Sequence, residues 1–213
     1  MDTDTEPGIL PPNLNLTSCL IARIYQGDIA SWDHPDIREV NPNLELPVQL
    51  DFYGKPAEDQ SFPIKVAARG DGSGTTVIFT SYLHKTCPEH WGADLVSSQP
   101  DWPLAGSDNF ITADGTSDML SVIVDNAGTI GYSTSGSALG TPGLAEAALR
   151  MESSSLKVDF FLTSENSLSK DGVAVALQGA EFPSSGDADW SSVDVINKVE
   201  GYIYAWPLVS VTY

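Results

Sequence analysis

The sequence predicts an α/β domain, in which strands alternate with helices. Two stretches carry that expectation. Ile64-Lys65-Val66-Ala67-Ala68-Arg69 reads as a short strand, and it runs through the glycine-rich turn Gly70–Thr76 into a helical period of Val77, Ile78, Phe79, Tyr82 and Leu83. Thr116 to Val124, with Met119, Leu120 and Ile123 inward, reads as a helix leading into the strand Thr129-Ile130-Gly131-Tyr132. The composition agrees, because 213 residues with 41% hydrophobic and 18% charged can bury a full core.

The other elements follow in chain order. Residues 1–16 read as an extended lead-in, since Pro7, Pro11 and Pro12 oppose a helix and Asn13 and Asn15 add turn character. Thr17 caps a helix whose Leu20, Ile21, Ile24 and Tyr25 recur at helical spacing, and Gly27 ends it. Pro35, after Asp33-His34, opens a second short helix with Ile37 and Val40 inward. Residues 41–62, with Pro42, Pro47 and Pro56, read as a surface connection, and residues 94–114 show no clear period. Further on, Pro142 to Leu149 is predicted as a helix, Leu156 to Leu162 as a strand and Ser167 to Leu177 as a helix weakened by Gly172. Pro183 to Asp189 is a polar loop, and Leu208 to Tyr213 alternates like a strand. No internal repeat is visible, so residues 17–213 are expected to form one domain. The strand-like final segment points to a fragment of a larger protein.

Charge narrows the partners. The 29 acidic and 10 basic residues give a net charge of −19. Such a chain lacks the basic face that nucleic acid or an anionic membrane surface requires. No run reaches the roughly 18 apolar residues of a spanning helix. The opening Met1-Asp2-Thr3-Asp4-Thr5-Glu6-Pro7-Gly8 has no signal-peptide character, which fits a cytosolic protein or a mature or truncated piece. Cys19 and Cys87 are too few for a disulfide framework; one bridge is possible, and the sequence leaves it open.

Gly70-Asp71-Gly72-Ser73-Gly74-Thr75-Thr76 is the most informative segment. Glycines allow positive φ and close approach of the backbone to a ligand. A helix start presents unpaired N–H groups and partial positive charge, which together suit an anion. Ser73, Thr75 and Thr76 add hydroxyls, and Arg69 adds a guanidinium shaped for oxyanions. The plainer reading is that Ser73 or Thr75 merely caps the helix. Known nucleotide and nucleophile motifs fail on spacing. No Lys follows Gly74 as in a P-loop, the glycines recur two apart rather than as Gly-x-Gly-x-x-Gly, and Asp71 occupies the first glycine position of a nucleophile elbow.

Ile64 to Thr76 followed by Phe79-Thr80-Ser81-Tyr82-Leu83 resembles the central motif of the PstS-type phosphate-binding proteins of bacterial phosphate ABC transporters. Leu20 to Trp32 and Asp36-Ile37 through Asn41-Pro42 resemble the segment before it, Gly128 to Tyr132 the later strand, and Ala205-Trp206-Pro207-Leu208 the strand near the return crossover. The resemblance spans residues 15–213, in family order. It implies a periplasmic-binding-protein-like (type II) lobe, a mixed sheet with helices on both faces. It covers only the second of the family's two lobes and lacks the first lobe's aspartate that accepts a proton from phosphate. By the resemblance, Arg69, Ser73, Gly74 and Thr75 contact the anion, Asp71 braces Arg69 by an ion pair, and Gly72 and Thr76 support the turn.

His84, Cys87 and His90, with Glu89, drift around a helix that Pro88 interrupts, a poor zinc set. Asn15-Leu16-Thr17 is a glycosylation sequon that matters only in a secreted eukaryotic chain. Asp187 and Asp189 lack a regular calcium loop. Trp32, Trp91, Trp102, Trp190 and Trp206 read as packing residues. No acid–base constellation stands out, and Ser73 has no histidine base. The expectation is therefore a non-catalytic binder of inorganic phosphate or a similar oxyanion, without metal or cofactor, extracellular or periplasmic. Its partners would be the anion and a complementary lobe or further domains. The rival expectation is a structural or interaction module of a larger extracellular protein with a vestigial site, and an enzyme acting on phosphate esters is a distant third.

Overall fold

Strand β2 (Lys65–Arg69) is the axis of the chain, because its residues from Val66 onward are buried on both sides. It pairs in parallel with β3 (Phe110–Ala113) on one side and β4 (Thr129–Ser133) on the other. The computed structural model describes residues 14–46, 53–55, 62–133, 141–142, 144–150, 161–162, 181–187, 189, 193 and 208–212. Antiparallel β8 (Leu208–Thr212) lies against β4, and β5 (Leu144–Glu146) closes the order β3-β2-β4-β8-β5. A second sheet pairs β1 (Asn15–Thr17) in parallel with β6 (Ala148–Arg150), which pairs antiparallel with β7 (Phe161–Leu162).

Helix α3 (Gly74–Thr86) connects β2 to β3, and α4 (Gly115–Asp125) connects β3 to β4. The first crossover runs from β2 to β3 and the second from β3 back past β2 to β4, in opposite directions along the sheet. Right-handed connection then puts the two helices on opposite faces. The fold is thus a single α/β lobe with a mixed sheet and helices on both faces. Gly131 lets α4 close on β4: a Cβ there would lie 2.5 Å from Ile123 Cδ1 and 3.0 Å from Met119 Sδ. Met119 and Ile123 are buried as expected, while Leu120 is only half-buried.

Helix α1 (Ser18–Gln26) begins where Thr17 accepts from the Leu20 N–H, and it ends at Gly27 with φ of 87°. Helix α2 (Pro35–Val40) has proline in its first turn, and buries Ile37 with Val40 packed beside it. Between α3 and α1 lies an aromatic core. Phe79 stacks on Tyr132 at 4.3 Å between ring centres, Tyr25 meets Phe79 edge-on at 5.0 Å, and Trp91 and Trp102 close the cluster. Trp32 is buried as well; Trp190 and Trp206 lie outside the described residues.

Several expectations change. Pro142 to Leu149 is not a helix but holds β5 and the start of β6. Its alanines favour a helix in isolation, yet pairing with β8 and β1 prevails. Ala147 and Leu149, 3% and 2% exposed, are buried two apart, which is a strand's period. Residues 94–114 contain β3 and a short 3-10 turn, Ala93–Leu95, precedes it. Asn15 belongs to β1 rather than to a free lead-in. Its amide donates to the Val40 carbonyl at 3.3 Å, and Thr17 is committed to its cap, so the sequon is built into the fold. The helix expected at Ser167–Leu177 and most of the strand at Leu156–Leu162 lie outside the described residues.

Cys19 and Cys87 form a disulfide, with Cα atoms 5.3 Å apart, tying α1 to the end of α3. Closing a loop of sequence separation 68 restricts the unfolded chain. Replacing both residues, Cys19→Ala with Cys87→Ala, is expected to lower the unfolding free energy by about 2–4 kcal/mol in urea melts. Identical urea midpoints would show that the bridge contributes nothing.

Candidate functional site

Arg69 stands at the carboxyl end of β2, opposite Ala113 of β3, and is only 9% exposed. Its guanidinium grips Asp71 with two prongs: Nε donates to Oδ1 at 2.5 Å and Nη2 to Oδ2. Asp71 Oδ1 also accepts from the Gly115 N–H at 3.1 Å, at the start of α4. The hydrogen bond from Arg69, then that of Gly115, holds the Asp71 carboxyl well below the usual carboxylate range. The same pairing raises Arg69 further, against the opposing effect of burial. Two of the five guanidinium donors are used, and the remainder have no partner among the described residues.

The turn after Arg69 leads into the N-terminus of α3. Ser73 caps that helix by accepting from the Thr75 N–H at 3.2 Å, so the plain capping role is realised. Its own N–H donates to the Ser98 carbonyl at 3.0 Å. The hydroxyl can still donate while it accepts. Gly72 and Gly74 are exposed, and a Cβ at Gly74 would meet nothing within 4 Å, so open space lies over the helix start. None of Gly70, Gly72 and Gly74 has positive φ; the left-handed residue is Gly115, at 81°. The turn's glycines therefore serve approach and openness: a Cβ at Gly70 would come 3.1 Å from Asp114 Oδ1.

Arg69, Asp71, Ser73, Gly74 and Thr75 are thus gathered where β2 meets α3 and α4. Thr76 is different. It is fully buried, and its hydroxyl shares a 2.7 Å hydrogen bond with Tyr132, away from the opening. Tyr132 also accepts from the Arg69 N–H at 3.1 Å, and burial pushes its phenol up to about 12. Trp102 Nε1 donates to the Arg69 carbonyl at 3.3 Å, and Gln99 Nε2 to the Gly70 carbonyl at 2.5 Å. Segment 97–102 therefore wraps the turn. Sequence reasoning missed Gln99, Trp102, Gly115 and Tyr132 as supports. Asp114-Gly115 ahead of a helical pattern was a local cap signal; the other contacts are long-range. Cys87 offers no thiolate to His84 and His90, since it is bridged, and His84 Nδ1 lies 2.8 Å from the Trp91 carbonyl.

A depressed carboxyl ties stability to acid. Asp71 binds its proton less readily folded than unfolded, so the pair's contribution is fully present above the unfolded value of about 4. That contribution is lost as pH falls through the lower folded value. Urea melts of wild type and Asp71→Asn are expected to differ by a constant amount above about pH 4 and to converge below it. A gap that widens toward acid would contradict the pairing.

Known proteins show the same architecture. The family model described as PBP superfamily domain matches residues 10–196. A phosphate-binding protein PstS of Haemophilus influenzae is 40% identical over 79 residues, 37% of this chain and 20% of that protein. Its counterpart in Xylella fastidiosa is 31% identical over 124 residues, 58% of this chain and 29% of that protein. A solved phosphate-binding protein from Stenotrophomonas maltophilia covers 97% of this chain and 51% of its own at 18% identity, with TM-score 0.55. The ancestral soluble variant of the human phosphate binding protein covers 97% and 55% at 17% identity, with TM-score 0.59. Identities that low speak for fold. The chain aligns to less than a third of those curated relatives and to about half of the solved chains. With the family match extending over most of its length, the chain belongs to the PBP superfamily domain family.

Proposed function

We infer that this chain binds inorganic phosphate or a similar oxyanion, without catalysing a reaction, at the carboxyl end of β2. One observation carries the reading: a nearly buried Arg69 is braced by Asp71 and has donors without a partner among the described residues, beside the open start of α3. In this reading Arg69 donates to the anion as a fork, and the Ser73 hydroxyl, the Gly74 backbone and the Thr75 hydroxyl complete its coordination. Gly72 and Thr76 shape the turn. Cation, helix dipole and hydroxyls all favour negative charge. The relatives' names, phosphate-binding proteins, support phosphate as the anion. They are named for binding, not for a reaction.

One lobe offers one side of a site. Residues 17–213 would form that side, and a complementary lobe of a longer protein would cover the other; the partial coverage of the relatives supports this. The location would lie outside the cytoplasm, extracellular or periplasmic, where a disulfide such as Cys19–Cys87 persists. No described helix is long and apolar enough to cross a membrane.

Calorimetry of the chain against phosphate and sulfate tests the reading. A one-sided, hydrated site is expected to bind in about the millimolar range, weakened by salt, with little preference between the two anions. Arg69→Ala removes a charge-assisted bond of about 1.5–3 kcal/mol and is expected to abolish measurable binding, while Arg69→Lys recovers part. Wild-type affinity in Arg69→Ala would place the anion elsewhere. Submicromolar, phosphate-selective binding would refute the one-sided account. No binding at several millimolar would favour the structural module instead.

A further inference from the structure

Among the described residues, three buried polar side-chain atoms have no hydrogen-bond partner: Trp91 Nε1, Thr129 Oγ1 and Ser133 Oγ. Thr129 and Ser133 occupy opposite ends of β4. A buried hydroxyl left unpaired is unfavourable, so each raises the question of what would pair with it. Ser133 is only 3% exposed and lies at the carboxyl end, the end at which β2 delivers Arg69.

The sheet register says which way Ser133 points. Lys65 pairs with Thr129 and Val66 with Ile130. Strand alternation then puts Lys65, Ala67 and Arg69 on the same side as Thr129, Gly131 and Ser133. That side faces α4, because a Cβ on Gly131 would touch Ile123 and Met119. Tyr132 points the other way and stacks on Phe79. Two residues farther along a strand is about 6.6 Å, and four residues back along a helix is about 6 Å. Ser133 therefore faces the first turn of α4, where the Gly115 N–H meets Asp71. It lies on the strand that pairs with β2 through Lys65 and Val66, toward the end at which β2 carries Arg69.

We propose that Ser133 is a further anion-binding residue, whose hydroxyl donates to an oxygen of the oxyanion held by Arg69. The proposal rests on the binding reading above and deepens it. The anion is then held from three directions: the start of α3, the Arg69 fork, and the end of β4 on the α4 side. Such an arrangement suits a tetrahedral oxyanion, whose oxygens diverge out of one plane. A planar anion such as nitrate cannot engage all three.

The orphan hydroxyl makes the test sharp, because stability and binding should move differently. Ser133→Ala and Thr129→Val each remove an unpaired buried hydroxyl from the full chain. Both are expected to keep or raise the thermal midpoint measured without anion. Calorimetric titration with inorganic phosphate is expected to show Ser133→Ala about tenfold weaker than wild type, the worth of one hydrogen bond to a charged group. Thr129→Val should match wild type, and nitrate should bind wild type and Ser133→Ala alike. Unchanged phosphate affinity in Ser133→Ala, with wild type binding, overturns the proposal and leaves the binding reading intact. A lowered midpoint in Ser133→Ala, or equal weakening in Thr129→Val, assigns the hydroxyl a structural role and also overturns it. A wild-type chain that takes up no phosphate overturns the binding reading and this proposal together.

Discussion

A guanidinium cannot shed its charge inside a protein, so an arginine at the end of a buried strand dictates what surrounds it. Arg69 is that residue. Its charge is met by Asp71 only two positions later, where the chain bends directly after β2. Asp71 would itself be an acceptor in want of donors, and Gly115 at the start of α4 supplies one more. The pair thereby fastens the turn after β2 to the helix after β3. Two elements distant in sequence are held at one end of the sheet by a single carboxylate.

The backbone around Arg69 is held from elsewhere. Tyr132 takes its N–H and Trp102 donates to its carbonyl, so both backbone groups find side-chain partners where the ladder ends. Both rings belong to the aromatic core. Core packing and the geometry around Arg69 are therefore one structure. The chain can leave Gly72 and Gly74 open to solvent because residues on either side of them are tied down by Gln99, Ser98 and Tyr132.

What could be read in the sequence divides by range. Thr17 and Gly27 mark helix ends through bonds a few residues long, Pro35 marks one through its fixed φ, and the structure uses all three as expected. Arg69 before a glycine-rich turn was equally legible, since strand, turn and helix follow each other directly. Strand β3 was not, because Phe110–Ala113 has one buried position and gains its form from pairing with β2. The segment from Pro142 to Leu149 misled because its alanines state a local preference that distant partners overrule. Trp102 was legible as a packing residue and Tyr132 as part of a strand, but their hydrogen bonds to Arg69 depend on where the chain folds back.

Strand β8 lies between β4 and β5, yet it follows both by a long stretch of chain. On a ribosome, β2, β3 and β4 emerge together and can pair early. The flank of β4 then waits with unpaired backbone groups until Leu208–Thr212 arrives. A nascent sheet with such a vacant slot is open to the wrong strand, from its own chain or a neighbour's. Completion of this lobe is thus a late, long-range event, set by the stretch of chain between Ser133 and Leu208 and not by the local order of β2, β3 and β4.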